Sequence, residues 1–214
     1  MKYASKLLVR SAVAFAAFIG LAVAVNAGWL HSVDRFGRQH LQPLAGGHGH
    51  PDLRELTQVM LVPAAPSVAT VLILWFACVA YRRAGWTGAV IWPAAMTAGF
   101  AAELLCKALV RQDADHSWRL LRVSIDSSYP SGHMLRTVLL VFAIAWLWPQ
   151  ARALVAPVVV AASLALMVNG WHSATDVVGG LAIGLAIGWL ALWASEARHP
   201  SLTRFPLQLA DVRP

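Results

Sequence analysis

The sequence predicts an all-α polytopic membrane protein: a six-helix transmembrane bundle with its functional site at the outer face. Two observations carry the membrane assignment. Of 214 residues, 58% are hydrophobic and only 13% charged, a balance too apolar for an ordinary soluble domain. Six runs also approach the stretch of about 20 mostly apolar residues that a span requires. They fall near 11–30, 59–81, 89–110, 132–149, 154–169 and 177–194. The connections between them are too brief for a separate soluble domain, so residues 1–214 read as one membrane-embedded unit.

Positive charge orients the bundle. With a cytoplasmic N-terminus, the inner segments carry Lys2, Lys6, Arg10, Arg82, Arg83, Arg152, Arg198, Arg204 and Arg213. The outer segments carry Arg35, Arg38, Arg54, Arg111, Arg119 and Arg122. The bias is modest, and it sharpens if the 111–122 arginines have a chemical task. Both termini are then cytoplasmic, in a plasma or bacterial inner membrane, with the site on the periplasmic or extracellular side. The net charge of +7 is scattered over both faces, which argues against nucleic acid and for an anionic ligand.

The first run, with its basic start and Val25-Asn26-Ala27, has the outline of a signal peptide; we expect it to be retained as a helix. Residues 31–58 read as an outer connection. His48 and His50 lie in its glycine-rich end, where two histidines without further ligands read as a solvated loop and not a metal site. Asp52 reads as a cap for the second span. "YRRAGWTG" at 81–88 is a short basic inner turn, and "PQARA" another. Cys78 and Cys106 fall inside spans and suggest no disulfide framework. Gly180 and Gly184, four apart in the last span, read as a close helix-packing surface.

Counting crossings brings three polar clusters to one membrane surface. Lys107 ends the third span, Ser131-Gly132-His133 opens the fourth, and "NGWHSATD", with His172 and Asp176, precedes the sixth. Ionisable groups at such depth are costly and usually functional. Ser131 and Gly132 stand where a helix should begin, so their N–H groups and the Ser131 hydroxyl could receive an anion. A plain serine cap is the ordinary alternative. His172 and Asp176, four apart, share a helical face on which the carboxylate can orient the imidazole; Asp176 could equally cap the last helix. Lys107 and Arg111, also four apart, could clamp phosphate oxygens, or be snorkelling cations with Glu103 paired to Lys107. Taken together, two histidines, several cations and an N–H nest suit phosphoryl transfer through a histidine nucleophile.

At these residues the chain resembles the type 2 phosphatidic acid phosphatase superfamily of membrane lipid phosphatases. "PSGH" at 130–133 matches its second motif, and "HSATD" at 172–176 matches the His-x3-Asp end of its third. The resemblance implies that His172 is the nucleophile that becomes phosphorylated. It makes His133 the general acid and Asp176 the carboxylate that positions His172. Ser131, Gly132 and Lys107 become phosphate-binding positions. Two places depart from the pattern. The first motif should read Lys, six residues, then Arg-Pro, but Ala114-Asp115 stand there. The third motif has an arginine six residues before its histidine, where this chain has Leu166. Losing such donors typically costs about 10²-fold or more in rate. Arg111, one turn beyond Lys107, and Arg136, three residues after His133, are the candidate replacements.

The implied function is hydrolysis of a phosphomonoester or diphosphate of a lipid or polyprenyl carrier, with no cofactor and no metal. A second reading is a lipid-phosphate binding or scaffold protein that kept the fold and lost turnover. An intramembrane serine protease pairing Ser131 with His172 explains neither the cations nor His133.

Overall fold

Long apolar stretches free of internal caps fold as helices, and proline and glycine decide where those helices stop. The computed structural model describes residues 2–41, 44, 51–110, 118–120, 123–125 and 128–198. Seven α-helices are found among them: α1 (Lys2–Asn26), α2 (His31–Leu41), α3 (Pro51–Leu61), α4 (Pro66–Leu109), α5 (Gly132–Leu147), α6 (Val155–Val168) and α7 (Ala174–Arg198). A two-stranded antiparallel ribbon, β1 (Trp118–Leu120) and β2 (Val123–Ile125), lies between α4 and α5. By length and composition four helical stretches could cross a membrane: Ala4–Asn26, Pro66–Leu109, Pro149–Val168 and Ala174–Arg198; α5 is a shorter apolar helix.

The 44 residues of α4 would make a rod of about 66 Å, against a hydrocarbon core of about 30 Å. It is not a rod. Gly85 has φ 62° and ψ −161°, which breaks the helix at the basic turn. Phe76 and Trp92, on either side, meet edge to face with ring centroids 6.4 Å apart. In a straight helix, sixteen residues would separate them by about 24 Å. The chain therefore folds back at Gly85, giving two arms, 66–84 and 86–109. Arg83 secures the turn, donating from Nη1 to the Leu147 carbonyl (2.9 Å) and lying over the Trp148 ring.

The stretch expected to be an outer connection contains helices instead. α2 and α3 occupy most of it, and the run expected to begin near 59 starts later, at Pro66. The cause is proline. A 3-10 turn at Val62–Ala64 carries Pro63, and Pro66 opens α4 at a position where its missing N–H costs nothing. Asp52 consequently stands in the first turn of α3, not at the start of the following span. His48 and His50 lie outside the described residues.

α7 is the axis of the bundle, packed against α1, α4 and α5. Ser11 on α1 donates to the Ala186 carbonyl at 2.7 Å. The glycine surface read from the sequence is where α5 meets α7. A Cβ at Gly180 would run into the Ser131 carbonyl, and one at Gly184 would come within 2.9 Å of the Val138 Cβ. A buried aromatic group of Phe76, Trp92 and Trp146 fills the space between α4 and α5. A second cluster, with Leu61, Met134, Val138, Leu166 and Val177, joins α5 to α6 and α7.

Gly184→Leu places a branched side chain where no room exists. We expect a loss of about 1–3 kcal/mol, read as a lower thermal unfolding midpoint of the detergent-solubilised protein. An unchanged midpoint would mean that α5 and α7 are not in this contact.

Candidate functional site

The last turn of α4, the first turn of α5 and the first turn of α7 meet at one end of the bundle. A backbone hydrogen bond sets the register between the last two, the Ser131 N–H donating to the Asp176 carbonyl at 2.9 Å. The absence of a side chain at Gly180 allows that approach. The imidazoles of His133 and His172 come together across this junction, with ring centroids 6.2 Å apart, and Trp171 packs on His133 at 5.5 Å. The predicted convergence is therefore present in the fold.

Asp176 is fully buried and takes the capping role that its position suggested. With Ser173 it forms a reciprocal capping box. Asp176 Oδ2 accepts from the Ser173 N–H at 2.9 Å, and Ser173 Oγ accepts from the Asp176 N–H at 3.4 Å. The same oxygen accepts from the Ser128 hydroxyl at 2.8 Å and faces His172 Nδ1 at 3.6 Å. The last distance is beyond a hydrogen bond, though catalytic contacts of this kind commonly tighten only when substrate is bound.

At α5, Ser131 caps the helix, its Oγ accepting from the Met134 N–H at 3.3 Å. Its own N–H, expected as an anion donor, is already committed to Asp176. The expectation for that atom is corrected, and the reason is the α5–α7 register. Gly132 and His133, as the first helical residues, keep N–H groups that the helix itself cannot satisfy. Lys107 lies beside them. Its Nζ is 3.1 Å from Glu103 Oε1, the pairing that the spacing allowed, and the Glu103 carboxylate packs directly on Gly132.

Arg136 does not reach outward. It is 2% exposed; Nη1 donates to Glu103 Oε2 at 2.6 Å and Nε to the Ala64 carbonyl at 2.6 Å. Its guanidinium lies over the Phe100 ring. Leu166, where the third motif has arginine, is buried in the apolar cluster. Its carbonyl accepts the N–H groups of Trp171 and His172. Arg111, Ala114 and Asp115 lie outside the described residues. Among the described residues, no group of three or more His, Cys, Asp or Glu is placed to hold a metal ion.

Sequence reasoning missed Asp34. On α2 its carboxylate accepts from the Thr175 N–H (3.0 Å) and the Thr175 hydroxyl (2.7 Å), capping the start of α7 from another helix. Nothing local in the sequence marks such a pairing across 141 residues. Tyr129 was missed too. Fully buried, it stacks on Phe18 of α1 at 5.8 Å and donates to the Phe18 carbonyl. Burial holds its phenol above the ordinary range, so it stays a neutral hydrogen-bond donor.

The profile of the PAP2 superfamily matches residues 104–200, a segment containing Lys107, Ser131, His133, His172 and Asp176. The resemblance carried by the motifs is thereby shown. A solved structure is similar over 92% of this chain and 98% of its own, with TM-score 0.71 and 18% identity. It is described as the crystal structure of the first transmembrane PAP2-type phosphatidylglycerolphosphate phosphatase, from Bacillus subtilis. At that identity the likeness establishes a shared fold. No curated protein matches the sequence.

Asp34→Ala should remove the cap on Thr175 and cost about 1–2 kcal/mol, as losses of helix caps do. Chemical or thermal unfolding in detergent measures it, and no loss would show that α2 does not hold the site end of α7.

Proposed function

We propose that this protein is a membrane lipid phosphatase that works through a phosphohistidine. The observation that carries the proposal is the meeting of His133 and His172 in one cleft, with a buried carboxylate behind His172. Binding alone would need no second histidine and no orienting acid, which weighs against a scaffold that has lost turnover. The bundle would cross the membrane six times, the two arms of α4 counting separately. The site would face the periplasmic or extracellular side, in keeping with the basic inner segments.

Chemistry proceeds in two in-line steps. His172 Nε2 attacks phosphorus, forming an N–P bond as the P–O bond to the lipid breaks. His133 gives its proton to the departing alkoxide. Water then attacks the phosphohistidine, His133 takes the proton, and the N–P bond breaks to release inorganic phosphate. Asp176 holds the His172 ring and favours its positive charge as that charge develops. Lys107, with the N–H groups of Gly132 and His133 and the Ser131 hydroxyl, gathers the phosphoryl oxygens. Arg111, four residues after Lys107 in the sequence, would add a further cation. Fixed positive groups make a divalent ion unnecessary, so activity should persist in excess chelator.

A hydrocarbon tail has a place to lie. Below His133 the same stripe of α5 continues through Thr137, Leu140, Val141 and Ile144, lining a cavity of about 510 Å³ between α4, α5 and α6. Eleven residues of helix descend about 16 Å, close to half of the roughly 30 Å hydrocarbon core. A lipid phosphate, including a polyprenyl phosphate or diphosphate, fits such an arrangement better than a water-soluble ester.

Detergent-purified protein should release phosphate from at least one member of a lipid phosphate panel, and His172→Ala should lower the rate by at least about 10³-fold. Release from none of them would favour the binding reading. Ala161→Phe, which fills the cavity, should lower kcat/KM for long-chain substrates at least about tenfold more than for short-chain ones, each CH2 being worth about 0.8 kcal/mol. Equal loss across chain lengths would place the tail elsewhere.

A further inference from the structure

Glu103 is a buried carboxylate to which the reaction above assigns nothing. It sits on the second arm of α4, one turn before Lys107, and shares its charge between two cations. Oε1 is 3.1 Å from Lys107 Nζ, and Oε2 is 2.6 Å from Arg136 Nη1. All three side chains are nearly closed to solvent, at 8%, 5% and 3% exposure. The two cations are not equivalent. Arg136 is fixed a second time by the Ala64 carbonyl and lies on the Phe100 ring, so it cannot leave Glu103 without abandoning several contacts. Lys107 carries a compact charge on a flexible stem, which lets its ammonium turn from Glu103 toward an incoming anion. The carboxylate also packs against Gly132, the residue before His133.

We propose that Glu103 is a built-in counter-anion for the phosphate site. It is a positioning residue that holds the Lys107 ammonium beside the first turn of α5 while the site is empty, and releases it to an incoming phosphate. The proposal rests on the lipid phosphatase reading. A buried ammonium is costly without an opposite charge, and Glu103 supplies one at 3.1 Å while no phosphate is bound. Two cations around one carboxylate leave one positive charge in excess, which keeps the pocket attractive to an anion. After hydrolysis, Glu103 reclaims Lys107 and helps free phosphate depart. Arg136 then serves the site through Glu103, and the first contact with phosphate falls to Lys107.

The test is the affinity of the purified protein for inorganic phosphate, measured by titration calorimetry and so independent of turnover. Glu103→Gln keeps the shape and removes the competing charge. It should bind phosphate at least about tenfold more tightly than the unsubstituted protein, since one charge at such distances is worth several-fold to many-fold in affinity. Its kcat and KM should fall together as product release slows. A merely structural role would lower the yield of folded protein and leave phosphate affinity unchanged or weaker. Should Glu103→Gln fail to fold, Glu103→Asp, which draws the carboxylate back from Lys107, should still tighten phosphate binding at least about threefold on the same electrostatic grounds. In a Lys107→Met background, Glu103→Asp should produce no tightening. Unchanged or weaker phosphate binding in the folded Glu103 variants overturns the proposal, as does tightening that persists without Lys107. Failure of the unsubstituted protein to hydrolyse any lipid phosphate would instead sink the phosphatase reading, whatever the phosphate affinities.

Discussion

The site depends on one backbone hydrogen bond, from the Ser131 N–H to the Asp176 carbonyl. It joins the starts of two helices through residues 45 positions apart in the chain, and it can form only where α5 and α7 touch. Gly180 makes room for that contact. Once the register is fixed, His133 follows Ser131 by two residues and His172 precedes Asp176 by four, so the rings have little choice but to share a cleft. Buried backbone groups rarely go unpaired, and here that requirement and the chemistry are met by the same bond.

Around this junction each support closes a different degree of freedom. The capping box between Ser173 and Asp176 fixes the carboxylate, Ser128 donates to the same Oδ2, and Asp34 on α2 caps Thr175. Tyr129 ties the approach to α5 onto α1. Glu103 and Arg136 do the same for the end of α4. The His172 ring is held more loosely, at 3.6 Å from the Asp176 carboxylate. In the proposed mechanism that slack lets the ring move onto phosphorus and back while the buried carboxylate behind it stays fixed.

The sequence carried the motifs, the helical class and the meeting of three distant clusters at one end of the bundle. Those features are local or periodic, and hydropathy alone orders them. What it did not carry was pairing. Arg136 was expected to take the part of a missing phosphate ligand, yet its donors go to Glu103 and the Ala64 carbonyl. The Ser131 N–H was offered to an anion but belongs to Asp176. Asp34 stood in a stretch read as connection, since an 11-residue amphipathic helix is too short and too polar to register as a span. Proline chemistry at 63 and 66 could have signalled that α3 ends and α4 begins there. The Asp34–Thr175 bond could not have been read, because it exists only after α2 folds down on α7.

The central claim is that one imidazole, His172, attacks phosphorus and is then displaced by water, while the other, His133, moves the protons. The stereochemistry of transfer tests it most directly. A substrate made chiral at phosphorus with oxygen isotopes or sulfur, hydrolysed in isotopically labelled water, reports how many in-line displacements occurred. Two successive displacements, through His172 and then water, predict retention of configuration. Inversion would mean that water attacks the ester in one step, and the account given for His172 would be wrong.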